Sequence, residues 1–182
     1  MHKCWITLLT SLCLALVQAK EITNINASSA AQDIPVSIKL KKIFLDAARN
    51  GEEAILAEFL AARYDLNVRD NQGYTALILA SYHGHGKVVD QLLKAGADPC
   101  AQDLRGNTAM MGAIFKGELK IVKKLIATHC QADQRNNAGQ TAAMYAALFQ
   151  RLEVLDSLVA KGANLKISDA QGNTAENLAP AR

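Results

Sequence analysis

The chain has almost no surplus of charge: among 182 residues, 20 Lys and Arg stand against 17 Asp and Glu, a balance of +3. That is too small to supply the basic field that holds a phosphate backbone, so nucleic acid is not an expected partner. A bilayer-spanning run takes about 20 apolar residues, and the chain lacks one; the stretch from Cys4 to Val17 is shorter and is broken by Thr7, Thr10 and Ser11. No nucleophile stands with a base in a supporting context, no carboxylates are paired for acid–base work, and no phosphate-cradling loop is present, so no enzyme is expected. His83 and His85 lack the further ligands that a metal site needs. Neither a metal nor a cofactor is expected. Half the residues are apolar and 20 % are charged, which suits one soluble domain.

Residues 1–19 have a short basic start at Lys3, the interrupted apolar run, and small residues before Lys20. This three-part build reads as a signal peptide of the Sec type cleaved after about Ala19, rather than as an anchor. Removing Lys3 with it leaves a balance of +2. Periplasmic or secreted localisation follows, with no membrane span after cleavage. Residues 20–35 show no apolar periodicity and read as a flexible leader. Asn26-Ala27-Ser28 is a glycosylation sequon only in a eukaryotic source.

What the chain does have is a repeat. Gly-x-Thr-Ala begins at Gly73, Gly106, Gly139 and Gly172, always 33 residues apart. An Asp or Asn precedes each glycine by three (Asp70, Asp103, Asn136, Asp169), and an alanine recurs at Ala47, Ala80, Ala113, Ala146 and Ala179. Thr75 is placed to N-cap a short helix running to about Tyr82. Gly84 and Gly86 break the chain, and a second helix from about Lys87 to Ala95 gathers Val88, Val89, Leu92 and Leu93 on one face. Gly96 stops it, and the loop that follows reads as extended or hairpin. One such unit buries too few side chains to offset its backbone entropy, so neighbours must stack.

The same pattern divides the chain into repeats at about 36–69, 70–102, 103–135 and 136–168 and a cap at 169–182. The first is degenerate: Ile43, Phe44, Ala47 and Ala48 supply its first helix, and Ile55, Leu56, Phe59 and Leu60 its second. Lys39, Lys41, Lys42 and Asp46 fit a wet outer face. The third and fourth keep Ile121, Val122, Leu125, Ile126 and Val154, Leu155, Leu158, Val159. In the cap, Glu176 and Asn177 stand where Leu77 and Ile78 stand earlier, so nothing further stacks. His129 replaces the glycine of Gly96 and Gly162, and Gln150 that of Gly51, Gly84 and Gly117. Wherever positive φ is needed there, a side chain costs about 1 kcal/mol.

With its 33-residue period, its D-x-x-G-x-T and G-H signatures, its V-V-x-x-L-L helix and its G-A-D turn, the chain resembles the ankyrin-repeat family over roughly residues 36–182. TALI (75–78), TAMM (108–111), TAAM (141–144) and TAEN (174–177) stand where the family has Thr-Pro-Leu-His, a Thr-Ala variant similar to short exported bacterial ankyrin proteins. The resemblance implies an all-α ankyrin-repeat solenoid of about four repeats plus a C-terminal half repeat, probing a protein partner through its concave groove, with a monomer expected. Helices of stacked repeats lie about 10 Å apart. A disulfide tolerates a Cα separation of about 7 Å, so Cys100 and Cys130, the only cysteines left after processing, are expected as free thiols.

By register, the ends of the first helices read Arg49, Tyr82, Phe115, Leu148, followed by Asn50, His83, Lys116, Phe149. Two readings stand: these side chains tuck between hairpin and helix as ordinary packing, or they form a strip for a partner with Tyr82 and Phe115 as anchors. In the second, Asn71, Gln72, Tyr74, Leu104, Arg105, Asn107, Asn137, Gln140 and Gln171 make a polar rim. The repeated Asp70, Asp103 and Asp169 are expected to satisfy loop N–H groups. A secreted factor acting on a host protein, or an envelope protein protecting against oxidative stress with Met110, Met111 and Met144 as oxidisable groups, are the alternatives within this architecture.

Overall fold

A computed structural model describes residues 35–179 of the chain. Residues 1–34, on which the expected signal peptide and nearly all of the expected leader fall, lie outside the described residues. The chain divides into two compact units, 1–39 and 40–182, and the second carries the architecture that follows. The described residues form nine helices and no strand: α1 Val36–Asn50, α2 Glu53–Ala61, α3 Ala76–Tyr82, α4 Gly86–Lys94, α5 Ala109–Lys116, α6 Leu119–Ile126, α7 Ala142–Leu148, α8 Leu152–Ala160 and α9 Ala175–Leu178. None is long and apolar enough to cross a membrane.

The all-α solenoid expected from the period is what the second unit forms. First helices α3, α5, α7 and α9 pack one on the next, and second helices α2, α4, α6 and α8 form a parallel row behind them. Each later first helix starts the same way. Thr75, Thr108, Thr141 and Thr174 have extended backbones, and their hydroxyls accept from the N–H groups of Ile78, Met111, Met144 and Asn177 at 3.1–3.3 Å. Ala47, Ala80, Ala113 and Ala146 are fully buried where first helices meet, so a larger side chain there would overpack the stack.

The ends differ from the periodic expectation. Ile43, Ile55 and Val159 are exposed, although their register mates in the interior are covered wholly or in part. Each sits on the flank of a terminal repeat where no further described helix lies. In the first repeat Leu45 is buried, in register with Ile78, Met111 and Met144. There Phe44, Phe59 and Tyr64 close the end with ring centroids 5.1–5.2 Å apart in tilted and edge-on pairs.

Gln150 has φ 54°, as its register with Gly51, Gly84 and Gly117 implies. His129 is a correction: it is not among the residues of positive φ, whereas Arg63, its mate in the first repeat, is at φ 54°. At Tyr64, Ala97 and Ala163 the N–H after the left-handed residue closes onto Phe59, Leu92 and Leu158. In the third repeat the chain leaves the helix differently. Thr128 turns back on Leu125, both its N–H and its hydroxyl donating to that carbonyl, at 3.1 and 2.7 Å.

That altered exit explains a second correction: Cys100 and Cys130 are not free thiols but a disulfide, with Cα atoms 5.4 Å apart. The 10 Å spacing of helix axes does not apply, because both cysteines lie in the connecting loops. Cys100 stands at the register of Asn67 and Asp133, whose side chains accept the N–H of Asp98 and Asn164 in the next repeat at 3.0 and 2.9 Å. A cysteine cannot make that bond. Between the second and third repeats a covalent link therefore takes the place of a hydrogen bond.

Two predictions follow from these departures. Gln150→Gly should stabilise the fold by about 1 kcal/mol in urea unfolding, while His129→Gly should give no such gain; equal gains would refute the altered exit. Cys100→Ala with Cys130→Ala should cost about 2–4 kcal/mol. Replacing Cys100 by Asn in the same background should recover part of it by restoring the repeat's own bond; no recovery would refute the register argument.

Candidate functional site

The groove is built by the hairpin tips that precede each first helix. Asp70 accepts from the N–H groups of Gln72 and Tyr74 at 2.9 Å each, and Asp103 from Arg105 and Asn107 at 2.8 Å each. Asn136 and Asp169 repeat the pair with Ala138 and Gln140, and with Gln171 and Asn173. The recurring acidic residue thus folds its loop, as its position suggested. Neighbouring tips are tied by Leu104 N–H to Gln72 carbonyl, Asn137 N–H to Arg105 carbonyl and Ala170 N–H to Ala138 carbonyl, each 2.9 Å.

A second set of bonds was not anticipated. Just before each acidic position stands Arg69, Gln102, Arg135 or Ser168. Arg69 donates to the Gly73 carbonyl and to that of Gln102; Gln102 donates to Gly106 and Arg135 at 2.6 and 2.8 Å. Arg135 donates to Gly139 and Ser168 at 2.9 and 2.6 Å. The hairpins are thereby held at fixed distance from one another, which fixes the groove wall.

Between these tips and the first helices lies a hollow of about 540 Å³. Of the residues expected at a partner surface, Tyr82, His83, Phe115, Gln72, Tyr74, Arg105 and Asn107 line it. Lys116, Leu148, Phe149, Asn71 and Leu104 do not. Lys116 lies 5.2 Å from the centre of the Tyr82 ring, and Phe149 packs edge-on to Phe115 at 5.1 Å, so both adjoin the hollow through its aromatics. Tyr82 and Phe115 stack with planes 12° apart and centroids 6.2 Å apart. Tyr82, Phe115 and Leu148 keep 38, 46 and 51 % of their surface exposed, so the first two line the wall without being absorbed into the core.

The floor was less visible in the sequence. Leu79, Gly112 and Tyr145, one register position on three successive first helices, all line the hollow. The Tyr145 hydroxyl donates to the Asn107 side-chain oxygen at 3.1 Å, which also accepts from Asn136 at 3.0 Å. Burial raises the Tyr145 pKa above its ordinary value, so the phenol keeps its proton for this bond. His85, outside the hollow, hydrogen-bonds through Nε2 to the Arg49 carbonyl at 2.8 Å and sits where a side chain at Gly51 would collide with it.

Of the cations at the rim, Arg49 is paired. Arg49 contacts Asp46 and lies 3.6 Å from Asp70. Desolvation lowers the His83 pKa, and His85, Arg49 and Lys116 lower it further.

The period, the capped helix pairs and the hydrogen-bonded hairpins all point one way, and a family model described as Ankyrin repeats (3 copies) matches residues 32–103 and 102–169. The chain belongs to the ankyrin-repeat family. No curated protein matches it. Ankyrin repeats generally serve as protein–protein interaction modules and are typically non-catalytic.

The electrostatics give a prediction. In an NMR titration the His83 ring should titrate below the ordinary 6.5. The folded state then resists the proton that the unfolded chain accepts, so this residue's contribution to stability falls as pH drops from about 6.5 toward the folded value. Lys116→Met should move the His83 midpoint upward; an unmoved midpoint would show that Lys116 exerts no field there.

Proposed function

We propose that this ankyrin-repeat chain is an exported, non-catalytic binding protein that holds a segment of a partner protein in the groove between its hairpins and first helices. The observation that carries the reading is the exposed aromatic wall of Tyr82 and Phe115 beside a hollow of about 540 Å³. Large rings left partly wet in a rigid concave frame are what hot-spot contacts use. The frame is tied by hydrogen bonds from tip to tip, so binding orders little of the protein and loses little entropy.

Export is supported by the three-part N-terminus and by the Cys100–Cys130 disulfide, since such bonds persist in oxidising compartments. Periplasmic and extracellular destinations are equally served by both features. The oxidative-protection alternative is less well supported, because Met111 and Met144 are 1 and 2 % exposed and fill the core.

The test is affinity capture from the envelope fraction of the producing cell, read by mass spectrometry, comparing wild type with Tyr82→Ala/Phe115→Ala. A protein retained by the wild type should be lost by the variant at unchanged melting temperature. Equal retention would discard the aromatic wall as the binding surface.

A further inference from the structure

Gly112 is in the wrong place for a structural glycine. It lies inside α5, away from the left-handed positions, and its register mates Asp46, Leu79, Tyr145 and Leu178 all carry side chains. A Cβ added there would meet only Tyr82, at 3.6 and 3.9 Å, which is ordinary contact. Neither φ nor crowding requires glycine, and glycine weakens a helix interior. Its lack of a side chain leaves the groove floor bare between Leu79 and Tyr145, beside the Tyr82 ring.

Arg49 and Arg105 line this hollow together with Asp70 and Asp103, so the formal charges balance in number and differ in how each is engaged. The carboxylates of Asp70 and Asp103 are both engaged by loop N–H groups, Asp70 also by Arg49 and Asp103 by the Asn107 amide. Arg105 lines the same hollow, and Lys116 rests over Tyr82. Among the described residues neither cation has a carboxylate within ion-pair distance.

We infer that Gly112 opens a recess for one aromatic side chain of the bound segment, and that Arg105 receives a carboxylate close to it in that segment's sequence. The partner class is thus an acidic segment bearing an exposed aromatic residue. The ring is walled by Tyr82, Phe115 and Tyr145, which offer it edge and face contacts. This rests on the groove reading above and specifies what the groove selects.

The experiment uses a displayed library of random dodecapeptides, panned on the full wild-type chain, with enriched peptides then measured against variants. Enriched peptides should carry Phe, Tyr or Trp beside Asp or Glu. Gly112→Leu should weaken them by about tenfold or more, as filling a pocket does, with melting followed in parallel because the added carbons approach the Tyr82 ring. Gly112→Ala should give a smaller loss in the same direction, and it decides the matter if the leucine variant misfolds. Arg105→Gln should weaken the acidic peptides selectively and reduce their sensitivity to salt. Peptides that need Tyr82 and Phe115 yet bind equally to wild type and both Gly112 variants would overturn the recess and leave the groove reading standing. A library in which no peptide distinguishes wild type from Tyr82→Ala/Phe115→Ala would overturn both.

Discussion

The structure depends on how each hairpin satisfies its own backbone and its neighbour's. A loop that projects from a helix stack carries N–H and C=O groups with no helical partner, and each must be paired or left to water. Here one acidic or amide side chain accepts two N–H groups of its loop, and the long side chain just before it donates to a carbonyl of its own loop and one of the next. The first bond shapes the hairpin and the second sets the distance between hairpins. Without them the first helices would still pack through their buried alanines, but the groove would have no fixed wall.

Upon that frame the departures from periodicity acquire meaning. Where a side chain repeats in register it serves the stack: Thr75 and its mates start helices, and Ala80 and its mates let them approach. Where the repeat is broken, the stack is served otherwise or something else is served. Cys100 gives up an inter-repeat hydrogen bond and His129 a left-handed helix end, and the disulfide compensates for both at one junction. Gly112 and Tyr145 break the register on the groove floor: the first leaves room beside Tyr82 and the second bonds to Asn107 of the preceding repeat.

The period and the glycine signature made the helices, their caps and their order legible from sequence, because each is set by bonds within a unit or between identical positions of adjacent units. The aromatic wall was legible for the same reason, since register alone aligns Tyr82 with Phe115. The floor was not: that Tyr145 reaches Asn107, 38 residues away, depends on loop and helix geometry that no period encodes. The disulfide is not legible in the period, because helix spacing does not govern two residues that lie in loops. The Arg69, Gln102 and Arg135 bonds escaped notice because Arg and Gln look unrelated in a sequence, though both place a donor at the end of a long stem.

That last series has a direction. Arg69 reaches forward to Gln102, Gln102 to Arg135, and Arg135 to Ser168, whose short side chain prolongs nothing. The array is therefore unequal at its two ends. Trimming from the front strips a carbonyl of one donor, a loss that a water molecule makes good. Trimming from the back leaves a guanidinium or an amide to water instead, and frees a long side chain beside the groove. The row of hairpins thus has a polarity that the helices behind it lack: among the described residues its first member only gives such a bond and its last only receives one.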